Sequence, residues 1–124
     1  MDAAEGGKIF REAWIEGVQN YFQGEPRTAD IAPWEELPEW EKLSSASVFR
    51  AIREFVLASG GGTAKLSRAQ RGRFVALCWI AQVHRHFAAP RPSYLADWDE
   101  LPTWQQETDA DIFDLIEQEV LASA

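Results

Sequence analysis

Ala32-Pro33-Trp34-Glu35-Glu36-Leu37-Pro38-Glu39-Trp40 and Ala96-Asp97-Trp98-Asp99-Glu100-Leu101-Pro102-Thr103-Trp104 are two versions of one segment, 64 residues apart. The register holds downstream through Phe49/Phe113, Ile52/Ile116 and Val56-Leu57-Ala58-Ser59/Val120-Leu121-Ala122-Ser123. Upstream, a shift of 65 pairs Phe10 with Val75, Trp14-Ile15 with Trp79-Ile80, Val18 with Val83 and Phe22 with Phe87. An internal repeat of this length means that one supersecondary unit occurs twice, so the repeat decides the architecture.

Each copy begins with apolar residues every four positions (Phe10, Trp14, Val18, Phe22; Val75, Trp79, Val83, Phe87), which keeps them on one broad face of a helix. Each ends with apolar residues at i, i+3, i+7 (Phe49, Ile52, Val56; Phe113, Ile116, Val120), again a helical stripe. Ser67 and Gln70 have capping-box spacing and predict a helix start near Arg68, Thr108 with Asp111 offers a cap for the last helix, and Pro26 and Pro90 are expected to end the first helix of each copy. Ser59-Gly60-Gly61-Gly62 predicts a helix stop and a hinge. The organisation expected is repeat 1 over residues 8–59, a Gly-rich linker over 60–66 and repeat 2 over 67–123, in one compact domain. Neither copy alone buries both its stripes, so the fold expected is mainly α: two tandem helix-loop-helix repeats packed as a pseudo-twofold four-helix domain. Short strands are conceivable only beside the loops, near Ile31 and Tyr94-Leu95.

At 124 residues with 46% hydrophobic content, the chain can form a core without disulfides, and the single Cys78 cannot make an internal one. No signal-peptide pattern opens the sequence and no apolar run is long enough for a membrane span, so the setting expected is reducing and cytoplasmic, with no membrane partner. The net charge of −8 argues against duplex nucleic acid as a partner. The charge is nevertheless partitioned. Between Glu54 and Asp97 there is no acid, while Lys65, Arg68, Arg71, Arg73, Arg85 and Arg91 all lie there; from Asp97 onward there are nine acids and no Lys or Arg.

Arg11-Glu12-Ala13-Trp14-Ile15-Glu16-Gly17, followed by Trp34-Glu35-Glu36-Leu37-Pro38-Glu39-Trp40-Glu41-Lys42, resembles the RyR domain, the repeat of ryanodine receptors that also occurs in small bacterial and phage proteins. The resemblance covers about fifty residues twice, and copy one is the closer match. Lys42 and Asp109 stand at family positions, but Gln106 replaces the lysine in copy two. Ser45-Ala46 and Asp109-Ala110 lose the family's Asp-Arg pair wholly or in part. The resemblance implies a non-enzymatic module, used as paired repeats, that binds a nucleotide or a protein partner; a fold places no activity, so the site rests on residues.

Catalysis has little support. His84 and His86 are two apart on a helix and point in different directions, which disfavours a metal, and Cys78 lies among Leu77, Trp79 and Ile80 as a small hydrophobe. The paired acids Glu35-Glu36 and Asp99-Glu100 suit a helical first turn as well as acid-base work, and Gly60-Gly61-Gly62 lacks the Lys-Ser/Thr of a phosphate loop. Neither a metal nor another cofactor is expected. The candidate ligand-binding residues are Trp34, Trp40, Trp98 and Trp104 as stacking surfaces on proline-stiffened loops, with Arg68, Arg71, Arg73, Arg85 and Arg91 as phosphate donors. For the indoles the competing role is stapling the loop over the helix crossing, with Leu37 and Leu101 in the core. For the arginines it is pairing with Asp109, Asp111, Asp114, Glu117 and Glu119. Two readings remain: a binding protein for a nucleotide-like small ligand, or an acidic interaction module, an inhibitor or nucleic-acid mimic, that occupies a basic protein partner. A homodimer is compatible with either.

Overall fold

The computed structural model describes residues 2–123. Its helices are α1 (Ala3–Tyr21), α2 (Thr28–Ile31), α3 (Glu39–Ala58), α4 (Arg68–His86) and α5 (Thr103–Ser123), and no strand occurs among the described residues. The mainly α fold follows the two apolar periodicities, which fall on α1 and α4, and on α3 and α5. The short strands considered beside the loops are instead α2 and a 3-10 turn over Pro92–Leu95, because these segments have no partner strand to pair with.

The core is formed by the two stripes that end the copies. Val48, Phe49, Ile52 and Val56 of α3 meet Ile112, Phe113, Ile116 and Val120 of α5, with Phe10 and Ala13 of α1 and Val75 of α4 closing the sides. Phe113 is fully buried, with Phe55 and Phe74 edge-on to it at 6.1 and 6.0 Å. Emptying such a site costs about 3–5 kcal/mol for Phe→Ala. α3 and α5 touch along this seam, and α1 and α4 each lie against both of them.

Both loops use the same local geometry. Trp34–Glu36 and Trp98–Glu100 are single 3-10 turns, closed by Leu37 N–H on Trp34 C=O and by Leu101 N–H on Trp98 C=O, each at 3.1 Å. The proline that follows starts the next helix: Pro38 C=O accepts from the Glu41 and Lys42 N–H groups, and Pro102 C=O from those of Gln105 and Gln106. The final helix therefore begins five residues before Thr108, which lies in its interior with its hydroxyl on Trp104 C=O at 2.7 Å; the cap predicted at Thr108 and Asp111 is not used. The Ser67/Gln70 capping box is formed as the spacing predicts. α3 ends at Ala58 ahead of Gly60 and Gly61, which both adopt positive φ, +57° and +94°. α1 and α4 stop at Tyr21 and His86, several residues before Pro26 and Pro90.

What holds each loop down is a glycine. A Cβ at Gly7 would stand 2.5 Å from Cη2 of Trp34, and one at Gly72 would stand 2.2 Å from Cη2 of Trp98. Gly7 and Gly72 are themselves equivalent under the 65-residue shift. Each indole lies where only a residue without a side chain lets the helix come so close. Leu37 is buried and Leu101, its equivalent, is partly buried. Gly7→Ala and Gly72→Ala should each destabilise the fold by about 1–3 kcal/mol through overpacking. Gly62→Ala, where the added Cβ meets only Ser59 at ordinary contact distance, should be near neutral. Urea unfolding of the three variants measures this; equal effects would remove the glycine contact as the cause.

Candidate functional site

The four loop indoles divide into two pairs. Trp34 and Trp98 are the glycine-seated pair. Lys42 Nζ lies 5.9 Å from the Trp34 ring centroid, while at the corresponding place Gln106 donates from Nε2 to Trp98 C=O at 2.8 Å. Trp40 and Trp104 reach into the opposite copy. Trp104 is edge-on to Phe22 at 5.3 Å and 62° to Trp14 at 5.7 Å; Trp40 is edge-on to Phe87 at 4.9 Å and tilted on Trp79 at 5.9 Å. Since Phe87 and Trp79 are the equivalents of Phe22 and Trp14, the contacts are reciprocal. All four indoles are partly buried and serve packing on at least one side.

The arginines do not gather at one place. Arg68 and Arg85 are separated by about 26 Å along α4, at 1.5 Å per residue. Arg68 Nη2 pairs with Glu107 at 2.9 Å and Asp111 at 2.7 Å. Arg71, with its side chain 12% exposed, pairs through Nη1 with Asp114 at 2.8 Å and Glu117 at 2.7 Å, and donates from Nη2 to Thr63 C=O at 2.7 Å. Arg73 approaches Asp99 at 3.4 Å on the surface. Arg85 and Arg91 are exposed and form no ion pair among the described residues. The pairing with α5 thus runs through Glu107, Asp111, Asp114 and Glu117; among the described residues neither Glu119 nor Asp109 takes part.

Asp109 is 5% exposed and has neither an ion pair nor a side-chain hydrogen bond among the described residues. Its equivalent in copy one is the buried Ser45. Burial pushes its carboxyl well above the ordinary aspartate range. Burial also raises Cys78, to about 11, which keeps that thiol protonated at neutral pH. Glu117 behaves differently: burial works to raise it, but the Arg71 hydrogen bond and charge outweigh that, and it stands below the ordinary glutamate value.

Two adjoining depressions lie between α1 and α5. One, of about 300 Å³, has Glu16, Asn20, Asp111, Asp114 and Gln118 over an apolar floor that includes Leu115. The other, of about 360 Å³, is lined by Tyr21, Phe22, Gln23, Thr103, Trp104 and Glu107. Gly17 lets the two helices close between them, since a Cβ there would stand 2.4 Å from Cγ2 of Thr108. Tyr21 links the depressions by donating its hydroxyl to Asp111 Oδ2 at 2.6 Å. Neither depression contains a lysine or arginine in its lining.

No family model matches this chain, and no curated protein or solved structure matches it either. The site therefore rests on its own chemistry. Among the described residues no group of three His, Cys, Asp or Glu is placed to hold a metal, and no helix is long and apolar enough to cross a membrane.

Among the described residues, Trp104 is the one sequence-derived candidate that lines either of these two depressions, whereas Tyr21, Phe22 and Glu107 were not apparent from the sequence. Tyr21 ends α1 and Phe22 follows it, more than eighty residues away along the chain. Arg11 was also hidden: it is 6% exposed and ties α1 to the copy-one loop by donating to Ala29 C=O and Ala32 C=O, each at 3.0 Å.

Two titrations check the charges. Arg71→Ala should cost about 3 kcal/mol at neutral pH by leaving Glu117 without its partner, against less than about 1 kcal/mol for the more exposed Arg68. Because Glu117 is held below its unfolded value, that Arg71 contribution is present above pH about 4.3 and disappears as the pH falls through the folded value. Asp109 has the opposite sign. The folded chain keeps a proton that the unfolded chain releases above pH about 3.9, so Asp109 reduces stability as the pH rises from there. Asp109→Asn should raise Tm at pH 7 and lose that advantage near pH 4; an unchanged or lowered Tm at pH 7 would contradict the account.

Proposed function

We propose that the protein is a non-enzymatic acidic interaction module that receives a basic segment of a protein partner along the α1–α5 groove. The observation that carries this reading is the charge left over after internal pairing. Glu16, Glu107, Asp111, Asp114 and Glu117 lie along or beside the groove, and only Arg68 and Arg71 oppose them. Three negative charges stay uncompensated on a concave surface, where they attract cations and speed encounter with them. A phosphate bound at Arg68 and Arg71 would first have to displace four carboxylates, so the geometry supports the acidic reading better than the nucleotide-like ligand. A binding role for paired repeats is also what the resemblance to the RyR domain implies.

The test is calorimetric titration with lysine- and arginine-rich peptides beside a panel of mono-, di- and cyclic nucleotides. Glu16→Lys with Gln118→Lys shifts the groove charge by three units without touching an ion pair, and should weaken peptide binding at least about tenfold. Glu54→Lys, exposed on α3 outside the groove, should leave it unchanged. Heat from a nucleotide and none from any basic peptide would reverse the assignment.

A further inference from the structure

We infer that the depression at Trp104 is a recognition pocket for an alkylammonium head group, carried on a lysine-type side chain or on a free amine. This rests on the acidic docking reading and names what one end of the groove selects.

The argument starts from the walls. The rings of Phe22 and Trp104 stand at 90° with centroids 5.3 Å apart, forming a corner, and Tyr21 lines the same depression with its ring held by the hydroxyl bond to Asp111. Trp14 backs the indole at 5.7 Å, so that Trp104 cannot swing away without breaking a packed aromatic pair. Three aromatic residues line one small space with a carboxylate among them, a composition that favours a cation over a neutral group, and most of all a weakly hydrated alkylated one.

The charge around the corner points the same way. Glu107 is on the rim, one helical turn from Trp104, with a side chain 41% exposed. Its Oε2 accepts from Arg68 Nε and Nη2, while Oε1 accepts no hydrogen bond among the described residues. Arg68 is shared with Asp111 and Asp114, so its single charge does not neutralise Glu107. An anion at this place would face the Glu107 carboxylate with no lysine or arginine in the lining, and a divalent metal would find that single carboxylate among rings. A volume of about 360 Å³ is at the small end of ligand sites and suits a head group rather than a whole nucleotide.

The other copy provides an internal comparison. There the aromatic corner recurs as Trp40 and Phe87, 4.9 Å apart and at 80°, but Leu43 stands in the place of Glu107 and His86 in that of Tyr21. The carboxylate one turn past the indole is thus a property of the Trp104 end alone, although Glu39 takes the place of Thr103.

The experiment is NMR of the full chain labelled with nitrogen-15, following the Trp104 indole N–H, which Trp104→Phe assigns. The probes are choline, its neutral isostere 3,3-dimethylbutan-1-ol, a lysine peptide and the same peptide with trimethyl-lysine. Choline or a peptide should move the Trp104 signal saturably and bind at least tenfold more tightly than the alcohol. Glu107→Gln should weaken this at least fivefold, with thermal unfolding confirming that the variant is folded. Binding by choline as strong as by the peptides marks a free amine as the ligand; binding by the peptides alone marks a protein side chain. A Trp104 signal unmoved by every cation, or moved equally by the alcohol, would overturn the inference. If basic peptides then still bind in a way that Glu16→Lys with Gln118→Lys abolishes, acidic docking survives without the pocket; if nothing basic binds at all, both fall.

Discussion

The contact on which the arrangement depends is the meeting of a loop indole with a helix that has no Cβ at that point. Trp34 on Gly7 and Trp98 on Gly72 bring each Trp-acid-Glu-Leu-Pro loop flat against the first helix of its own copy. That seating sets where the following proline starts α3 or α5, and so which faces of those helices meet along the central seam. It also determines where the second indole of each loop points. Trp40 and Trp104 are the second residues of the next helix, packed against the other copy, and stitch the copies together through Phe87, Trp79, Phe22 and Trp14. A helix surface that is smooth at one residue thus controls contacts at the far end of the domain.

On this repeated scaffold the electrostatics differ between the copies. Copy one holds its loop with the buried Arg11, whose equivalent in copy two is Ala76; copy two ties its linker and last helix together with Arg71, whose equivalent in copy one is Gly6. Each arginine is satisfied by carbonyls or carboxylates at hydrogen-bond distance, the condition under which a buried guanidinium is tolerated. Because α4's cations are drawn onto α5, the remaining acids dominate the α1–α5 side. The functional asymmetry therefore arises from which charges the core architecture has already consumed, more than from the overall charge of −8.

Most of the secondary structure was legible in the sequence because apolar period and turn chemistry are local. The stripes of Phe49, Ile52 and Val56 and of Phe113, Ile116 and Val120 are buried as their spacing requires, and Ser67 caps α4 through Gln70. The start of α5 was misplaced because Thr108 and Asp111 have the right types for a cap, whereas the first-turn bonds go to Pro102 C=O. Glycines 7 and 72 recur at the repeat spacing and were a signal available in the sequence, but a glycine in a helix does not announce which side chain will lie on it.

The sequence by itself determined the repeated segment, the four long helices, the apolar stripes that supply much of the core and the separation of basic from acidic segments, since periodicity and charge are read directly along the chain. Only the tertiary structure decided that Arg68 and Arg71 meet Glu107, Asp111, Asp114 and Glu117, that Asp109 is enclosed without a partner, and that Tyr21 and Phe22 join Trp104 and Glu107 around one depression. The physical reason is that a charge or a ring takes its role from what lies opposite it across the helix crossing. Which residues lie opposite is set by the indole-on-glycine seats and the α3–α5 seam, through contacts between residues far apart in the chain.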